Sequence, residues 1–174
     1  MPFIVPEKVI GHFHLRQGDS VGDFGAGSGF FTAALSRAVG SEGRVYLFEI
    51  QKTLVEHAAK EAERLGNVDV LWCDMEAQGG CKLADGILDA AVLANTLFQL
   101  EEKGAGLAEI RRLLRQGGKL LVIDWSHSFS GMGPKNESVV REEDAKALAE
   151  QHGFRFECSF PAGEHHYGLA FRAI

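Results

Sequence analysis

The chain has 174 residues, of which 45% are hydrophobic and 24% charged, and its formal net charge is −6 at pH 7. This length and composition predict one globular domain, residues 1–174, with a sizeable core. The acidic balance argues against a nucleic-acid partner, which usually meets a basic patch. No apolar run reaches the roughly 18 residues of a membrane span, and no signal peptide is evident, so we expect a cytoplasmic protein.

Apolar segments alternate with helix-forming segments along the chain. The predicted helices, each followed by glycine within two residues, are 29–39, 51–65, 101–115 and 141–152. Nearly continuous apolar strands between them are typical of a parallel sheet covered on both faces. The segments 154–160 and 167–173 flank a short turn and predict a hairpin. We expect an α/β three-layer sandwich whose seven-stranded, mostly parallel sheet includes an antiparallel strand from this hairpin.

A glycine-rich turn joins the first predicted strand to the first helix and runs Asp23-Phe24-Gly25-Ala26-Gly27-Ser28-Gly29. In a dinucleotide fingerprint the third glycine follows the first by five positions, whereas here it follows by four. A carboxylate two positions before the first glycine would repel a pyrophosphate. It would suit a ligand with a cationic amino-acid end.

Polar residues also end the next strands. Glu49 ends the apolar run 44–50, 20 residues after Gly29, where an acid is expected to accept hydrogen bonds from both ribose hydroxyls and to repel a 2′-phosphate. Asp74 follows the strand at 68–73, and Asn95 ends the buried strand at 88–96.

These segments, with the helix–glycine–strand segment 113–124, resemble in order the motifs of class I (Rossmann-like) S-adenosylmethionine-dependent methyltransferases. The resemblance covers residues 20–125 and is loosely to the ubiquinone/menaquinone-methyltransferase-like group that acts on small molecules. It implies S-adenosyl-L-methionine as cofactor and S-adenosyl-L-homocysteine as product, with Asp74 receiving the adenine amine and Met75 beside the ring. The implied cofactor-binding residues are Asp23, Gly25, Ala26, Gly27, Ser28, Gly29, Phe31, Glu49, Ile50, Asp74, Met75 and Asn95.

No dedicated catalytic motif is evident. The place of the Asn-Pro-Pro-aromatic segment of amino-methylating enzymes reads Asn95-Thr96-Leu97-Phe98, and Phe98-Gln99 stands where many small-molecule methyltransferases carry a histidine. A base is needed only if the nucleophile arrives protonated. The candidates on the ligand side of the sheet are His127, after a strand, and His165 and His166 in the hairpin turn.

Residues 126–138 form a long polar loop with Gly131 and Gly133, on the ligand side of the sheet. We expect this loop, with residues 2–10, to close as a lid over the methionine end of the cofactor. The alternative is an ordinary surface loop.

The three cysteines, Cys73, Cys81 and Cys158, lack metal-like spacing, so we expect free thiols and no metal. Two other functions stay open from the sequence: a catalytically idle cofactor-binding subunit and a nucleotide-binding dehydrogenase. The sequence specifies neither the methyl acceptor nor the oligomeric state.

Overall fold

A computed structural model describes residues 4–129 and 131–174. The helices are α1 (Pro6–Ile10), α2 (Thr32–Val39), α3 (Lys52–Leu65), α4 (Lys103–Leu113) and α5 (Glu142–Gln151). The strands are β1 (Ser20–Phe24), β2 (Arg44–Glu49), β3 (Val68–Trp72), β4 (Leu88–Ala94), β5 (Leu114–Trp125), β6 (Phe154–Gly163) and β7 (His166–Ala173). Single 3-10 turns lie at Gly11–Phe13, Leu97–Gln99 and Asn136–Ser138.

All seven strands form one sheet in the order β3-β2-β1-β4-β5-β7-β6. Strands β1 to β5 are parallel, and β7 lies antiparallel between β5 and β6. The chain order reverses between β1 and β4, where a crevice opens at the carboxyl ends of the strands. The predicted α/β sandwich with its antiparallel hairpin strand is confirmed.

Helices cover both faces of the sheet. On one face α1, α2 and α3 pack against the sheet through apolar residues such as Leu35 and Ala58. On the other face α4 and α5 do so through residues such as Ile110 and Ala149. Because both faces are buried, the central strands carry apolar residues continuously rather than in alternation.

Several element boundaries differ from the sequence prediction: α4 is shorter than the predicted helix 101–115, β6 continues to Gly163, and His166, predicted in the hairpin turn, is the first residue of β7. The starts of α2 and β5 have identifiable causes. Helix α2 begins at Thr32 rather than at residue 29, because the turn before it continues through Gly29. Strand β5 begins at Leu114, before the Gly117-Gly118 pair, since Leu114 already pairs with Leu88 and the register then shifts before Ala90.

The expectation of three free thiols is wrong for two of the cysteines. Cys73 and Cys81 form a disulfide, with 4.7 Å between their Cα atoms, while the exposed Cys158 is free. Turns in the 74–80 loop return the chain to the end of β3: the Ala77 N–H donates to the Asp74 carbonyl, and the Gly80 N–H donates to the Ala77 carbonyl. Spacing along the sequence gives no sign of this return.

Candidate active site

The three glycines of the turn after β1 all have positive φ, but their surroundings differ. A Cβ on Gly25 would lie 2.5 Å from the Thr96 side chain, whereas a Cβ on Gly27 would meet nothing within 4 Å. Gly29 packs toward Thr32 and Leu47. Gly25 therefore allows close packing inside the protein, and Gly27 keeps the backbone open toward a ligand.

The Glu49 carboxylate, at the end of β2, accepts three backbone hydrogen bonds. Its Oε2 accepts the Gly27 N–H at 2.8 Å, and its Oε1 accepts those of Ile50 and Gln51, each at 2.9 Å. A carboxylate offers about four acceptor sites, so one remains, on Oε2. Glu49 therefore fixes the glycine turn to β2 and has capacity for about one ribose hydroxyl, not the two expected from the sequence.

Asp23 is buried at the end of β1, with 2% of its surface exposed. Its Oδ2 accepts a hydrogen bond from the Thr32 hydroxyl at 3.1 Å. Burial, reinforced by the charge of Glu49 and opposed by the Thr32 bond, raises the pKa of Asp23 to about 7. A cationic group beside this carboxyl would favour its charged form.

Asn95, directly after β4, has a left-handed backbone with φ of 54°. Its N–H donates to the Ile123 carbonyl at 2.8 Å, and its carbonyl accepts the Gln99 side-chain amide at 2.6 Å. Its Oδ1 is buried and has no hydrogen-bond partner among the described residues. A strained residue with an unpaired buried acceptor is typical of a ligand site.

Asp124, near the end of β5, positions the short 3-10 turn that carries Gln99. Its carboxylate accepts the N–H groups of Phe98 at 3.0 Å and Trp125 at 2.8 Å. Burial raises the pKa of Asp124 to about 6, although the two backbone hydrogen bonds act in the opposite direction and lower it.

Two adjoining cavities lie at this edge of the sheet, with volumes of about 390 and 270 Å³. Both are lined by Gly25, Gly27 and Gln99, so the glycine turn lies between them. The larger reaches Glu49 and Asp74, and the smaller reaches Asp23 and Asn95. An elongated ligand bent over the glycine turn would fill both.

The lining of these cavities is acidic. It holds four carboxylates and, among the described residues, no Lys, Arg or His; the four are Asp23, Glu49, Asp74 and Glu76. The turn offers few free donors, because the N–H groups of Gly25 and Ala26 donate to the Phe48 carbonyl and that of Gly27 donates to Glu49. The site therefore presents acceptors to a ligand that carries donors.

The structure brings the predicted cofactor-binding residues to these cavities with one exception. Gly29 lines neither cavity, whereas the other eleven line one or both. The lining residues that the sequence prediction missed are Gln51, Leu54, Cys73, Glu76, Thr96, Gln99 and Leu100 in the larger cavity and Phe30, Ala94 and Gln99 in the smaller. Most are neighbours of predicted residues, and this adjacency was the available signal.

The three candidate histidines form a separate cluster at the ends of β5 and β7 and line neither cavity. Ring nitrogens of His127 and His165 share a hydrogen bond of 3.0 Å, and His165 stacks on Phe129. The His166 ring lies 4.3 Å from that of Trp125. Both His166 ring nitrogens are buried without a partner among the described residues, and burial lowers the pKa of His166 to about 4.

The loop at 126–138 is docked at its base, and Ser130 lies outside the described residues. The Ser126 N–H donates to the His165 carbonyl at 2.8 Å. A Cβ on Gly133 would lie 2.5 Å from the Trp125 ring, so this part of the loop covers the indole. Of the proposed lid partner, residues 2–3 lie outside the described residues, and the rest contributes α1.

No group of three or more His, Cys, Asp or Glu residues in 4–129 and 131–174 is arranged to hold a metal ion. Within the same ranges, no helix is long and apolar enough to cross a membrane.

Comparison with known proteins gives one family. The methyltransferase domain family matches residues 22–122. The ubiquinone/menaquinone biosynthesis C-methyltransferase UbiE of Pasteurella multocida is 31% identical over 153 residues, which cover 78% of this chain and 56% of that protein. UbiE of Klebsiella pneumoniae is 31% identical over 64% of this chain and 45% of its own length. The chain thus spans about half the length of the curated relatives it matches.

Solved structures share the whole fold. A crystal structure of an S-adenosylmethionine-dependent methyltransferase from Aquifex aeolicus superposes with a TM-score of 0.89 at 30% identity, covering 99% of this chain and 91% of that one. The [4+2]-cyclase SpnF superposes at 0.82 with 17% identity, over 97% of this chain and 80% of that one, which shows likeness of fold alone.

Proposed function

This chain belongs to the class I S-adenosylmethionine-dependent methyltransferase family, and we propose that it transfers a methyl group to a small-molecule acceptor as a single domain, residues 1–174. The observation that carries the proposal is the acidic lining of the two adjoining cavities. S-Adenosylmethionine presents an ammonium, ribose hydroxyls and an adenine amine, all hydrogen-bond donors. A dinucleotide would place its pyrophosphate beside the Asp23 and Glu49 carboxylates.

Each donor of the cofactor has a matching acceptor. Asp23 and the unpaired Asn95 Oδ1 would hold the amino-acid end in the smaller cavity. The free site on Glu49 Oε2 would accept one ribose hydroxyl, and the Gln51 side chain is available for the other. Asp74 uses its Oδ1 for the Glu76 N–H, which leaves Oδ2 for the adenine amine, and Ile50 and Met75 would contact the ring.

When bound, S-adenosylmethionine supplies an electrophilic methyl group on its sulfonium. The residues of this chain then have to align the acceptor and exclude water. The candidate acceptor surface lies where the carboxyl end of β5 meets the amino end of β7, and there Trp125, Phe129 and His165 present aromatic rings. Its two strands, β5 and β7, lie one and two strand spacings from β4, or about 5 and 10 Å, since neighbouring strands are about 4.8 Å apart.

His166 is the candidate proton acceptor for a nucleophile that arrives protonated. Its low pKa keeps the imidazole neutral at pH 7, so one of its two unpaired ring nitrogens carries no proton and can accept one, although the same low pKa makes His166 a weak base. His166→Gln should lower kcat at least about tenfold with a protonated acceptor, within the range of general-base effects, and leave S-adenosylhomocysteine affinity unchanged. His127→Gln is the matched control. Equal kcat in wild type and His166→Gln would remove His166 from the reaction.

Calorimetry tests which cofactor the protein binds, and transfer of a labelled methyl group from S-adenosylmethionine to an acceptor tests the reaction. We expect S-adenosylmethionine and S-adenosylhomocysteine to bind and NAD not to bind. Tight NAD binding without S-adenosylmethionine binding would support the dehydrogenase alternative. The fold alone does not dictate methyl transfer, because a [4+2]-cyclase shares it. Cofactor binding with no transfer to any acceptor in a broad small-molecule panel would favour the idle subunit.

The lid stays a prediction, tested by hydrogen exchange. Cofactor and acceptor together should increase protection along 126–138 as well as along 23–31 and 49–51; unchanged exchange in 126–138 would mean an ordinary surface loop. The cytoplasmic location also stays a prediction. The Cys73–Cys81 disulfide argues against this location, because disulfides are rare in reducing compartments such as the cytoplasm. Cell fractionation tests the location.

A further inference from the structure

Another cavity lies at the amino ends of the parallel strands, at the opposite end of the sheet from the active site. Its volume is about 400 Å³, and its walls come from the Gly11–Phe13 turn and the segment after it, and from β4, β5 and β7. Its ionisable lining residues are the basic His14, Arg16, Arg115, Lys119 and Arg172 and the acidic Asp19 and Asp89. The charge is therefore opposite to that of the cofactor cavities, in a chain whose net charge is −6.

The two acids are already engaged by neighbours. Asp89 accepts the Ser20 N–H at 2.9 Å and pairs with Arg115 at 2.7 Å. Asp19 accepts the Arg16 N–H at 2.8 Å. The cavity lining therefore holds four Lys and Arg side chains against two carboxylates, one of which is already paired with Arg115, so an excess of positive charge remains.

Lys119 is a partly buried cation of this cavity that has no ion-pair partner among the described residues. Its ammonium donates to the Phe13 carbonyl and forms no ion pair with any described carboxylate. Burial and the positive charges of Arg172 and Arg16 lower the pKa of Lys119, while Glu157 and Asp19 oppose this less strongly. A partly buried ammonium beside two guanidinium groups is costly without an anion, and a bound anion would relieve the repulsion.

Arg172 is held in place for such a contact. It pairs with Glu157 at 2.9 Å and donates to the Gly117 carbonyl at 3.1 Å, so its guanidinium is fixed at the cavity wall. Arg16, by contrast, is exposed, and its side chain has no partner among the described residues. One fixed and one free guanidinium flank Lys119, an arrangement suited to phosphate oxygens.

We propose that this cavity is a second ligand site that binds a phosphate or pyrophosphate group, with Lys119, Arg16 and Arg172 as its cationic contacts. The proposal is independent of the methyltransferase function. The acidic cofactor cavities would repel the same anion, so occupancy of the two sites does not compete.

Calorimetry with inorganic phosphate, pyrophosphate and citrate, at ionic strength balanced with NaCl, tests the site. We expect saturable phosphate or pyrophosphate binding with a Kd of about 1 mM or tighter, unchanged by saturating S-adenosylhomocysteine. Lys119→Gln keeps a donor for the Phe13 carbonyl and should weaken binding about tenfold, the loss of one charge-assisted contact. Lys60→Gln, the same substitution at an exposed position on α3, should bind as wild type.

Absence of saturable binding, equal binding by Lys119→Gln and wild type, or competition by S-adenosylhomocysteine would each overturn the proposal. Binding of citrate alone would assign the cavity to carboxylates and overturn the phosphate assignment. If Lys119→Gln fails to fold, Arg16→Gln is tested instead, because the Arg16 side chain is exposed and only its backbone N–H bonds Asp19. Arg16→Gln should also bind phosphate or pyrophosphate about tenfold more weakly than wild type. Equal binding by Arg16→Gln and wild type would overturn the proposal.

Discussion

Replacing Asp23 by asparagine should make the apoprotein more stable and the cofactor weaker. The carboxyl is buried at the end of β1, and its pKa is raised to about 7 from an ordinary 3.8. The asparagine is nearly isosteric and can still accept the Thr32 hydroxyl. The substitution removes a buried negative charge that destabilises the folded apoprotein. We propose that this charge pairs with the ammonium of S-adenosylmethionine.

The sign of the stability effect follows from proton linkage. Between pH 4 and 7 the folded state keeps the Asp23 proton while the unfolded state has lost it, so stability falls as pH rises through this range and levels off above pH 7. From pH 5 to 8 this group alone lowers the free energy of unfolding by about 2–3 kcal/mol. Asp23→Asn should lack this loss, so the gap between the two proteins should widen by that amount.

Cofactor binding should change in the opposite direction. At pH 8 Asp23→Asn should bind S-adenosylhomocysteine at least about tenfold more weakly, the loss of one charge-assisted pair. Wild-type affinity should fall by up to about tenfold from pH 8 to pH 6 as the carboxyl is protonated, and the variant should lack this dependence. 5′-Methylthioadenosine, which has no amino-acid end, is the matched ligand control and should bind both proteins equally.

Urea unfolding at pH 5 and 8, with calorimetry at pH 6, 7 and 8, measures all of these quantities. A variant that is no more stable than wild type at pH 8 would refute the buried-charge argument. Equal S-adenosylhomocysteine affinity of the two proteins at pH 8 would refute the role of Asp23 as partner of the ammonium.

Three further predictions concern the same site. Glu49→Gln replaces one acceptor oxygen by a donor beside the Gly27 N–H, so we expect a loss of about 1.5–3 kcal/mol in unfolding free energy together with at least tenfold weaker cofactor binding; chemical unfolding and calorimetry check both, and a change in neither contradicts the hydrogen-bond pattern. Gly27→Ala should cost about 1–2 kcal/mol for its left-handed backbone yet abolish cofactor binding, because its Cβ enters the open space at the turn; normal binding would mean that the turn is only structural. Reducing the Cys73–Cys81 bond should lower the unfolding free energy by about 2–3 kcal/mol for a loop of this length, measured by urea unfolding with and without dithiothreitol. The stability of the Cys73→Ser, Cys81→Ser double variant should not change with dithiothreitol. A wild-type protein whose stability is also unchanged by dithiothreitol would contradict the crosslink.

The sequence by itself determined the fold class and the chemical character of the active site. Glycine spacing and polar residues at strand ends are local features, and the parallel topology brings the ends of β1, β2, β3 and β4 to one edge whatever the details of packing. Asp23 and Glu49 could be assigned to the site from glycine spacing and strand ends, and Asp74 and Asn95 from the resemblance to the methyltransferase motifs; the topology explains why all four meet at that edge.

The tertiary structure decided what depends on how separate segments approach each other. The Glu49 carboxylate is three-quarters used by backbone donors because the glycine turn folds back onto β2, and Cys81 reaches Cys73 because the 74–80 loop reverses. Lys119 is partly buried beside Arg172 because the Gly11–Phe13 turn packs over this part of β5, where the Phe13 carbonyl accepts the Lys119 ammonium. These are distances and burial across long sequence separations, which register and loop closure set and local pattern does not encode.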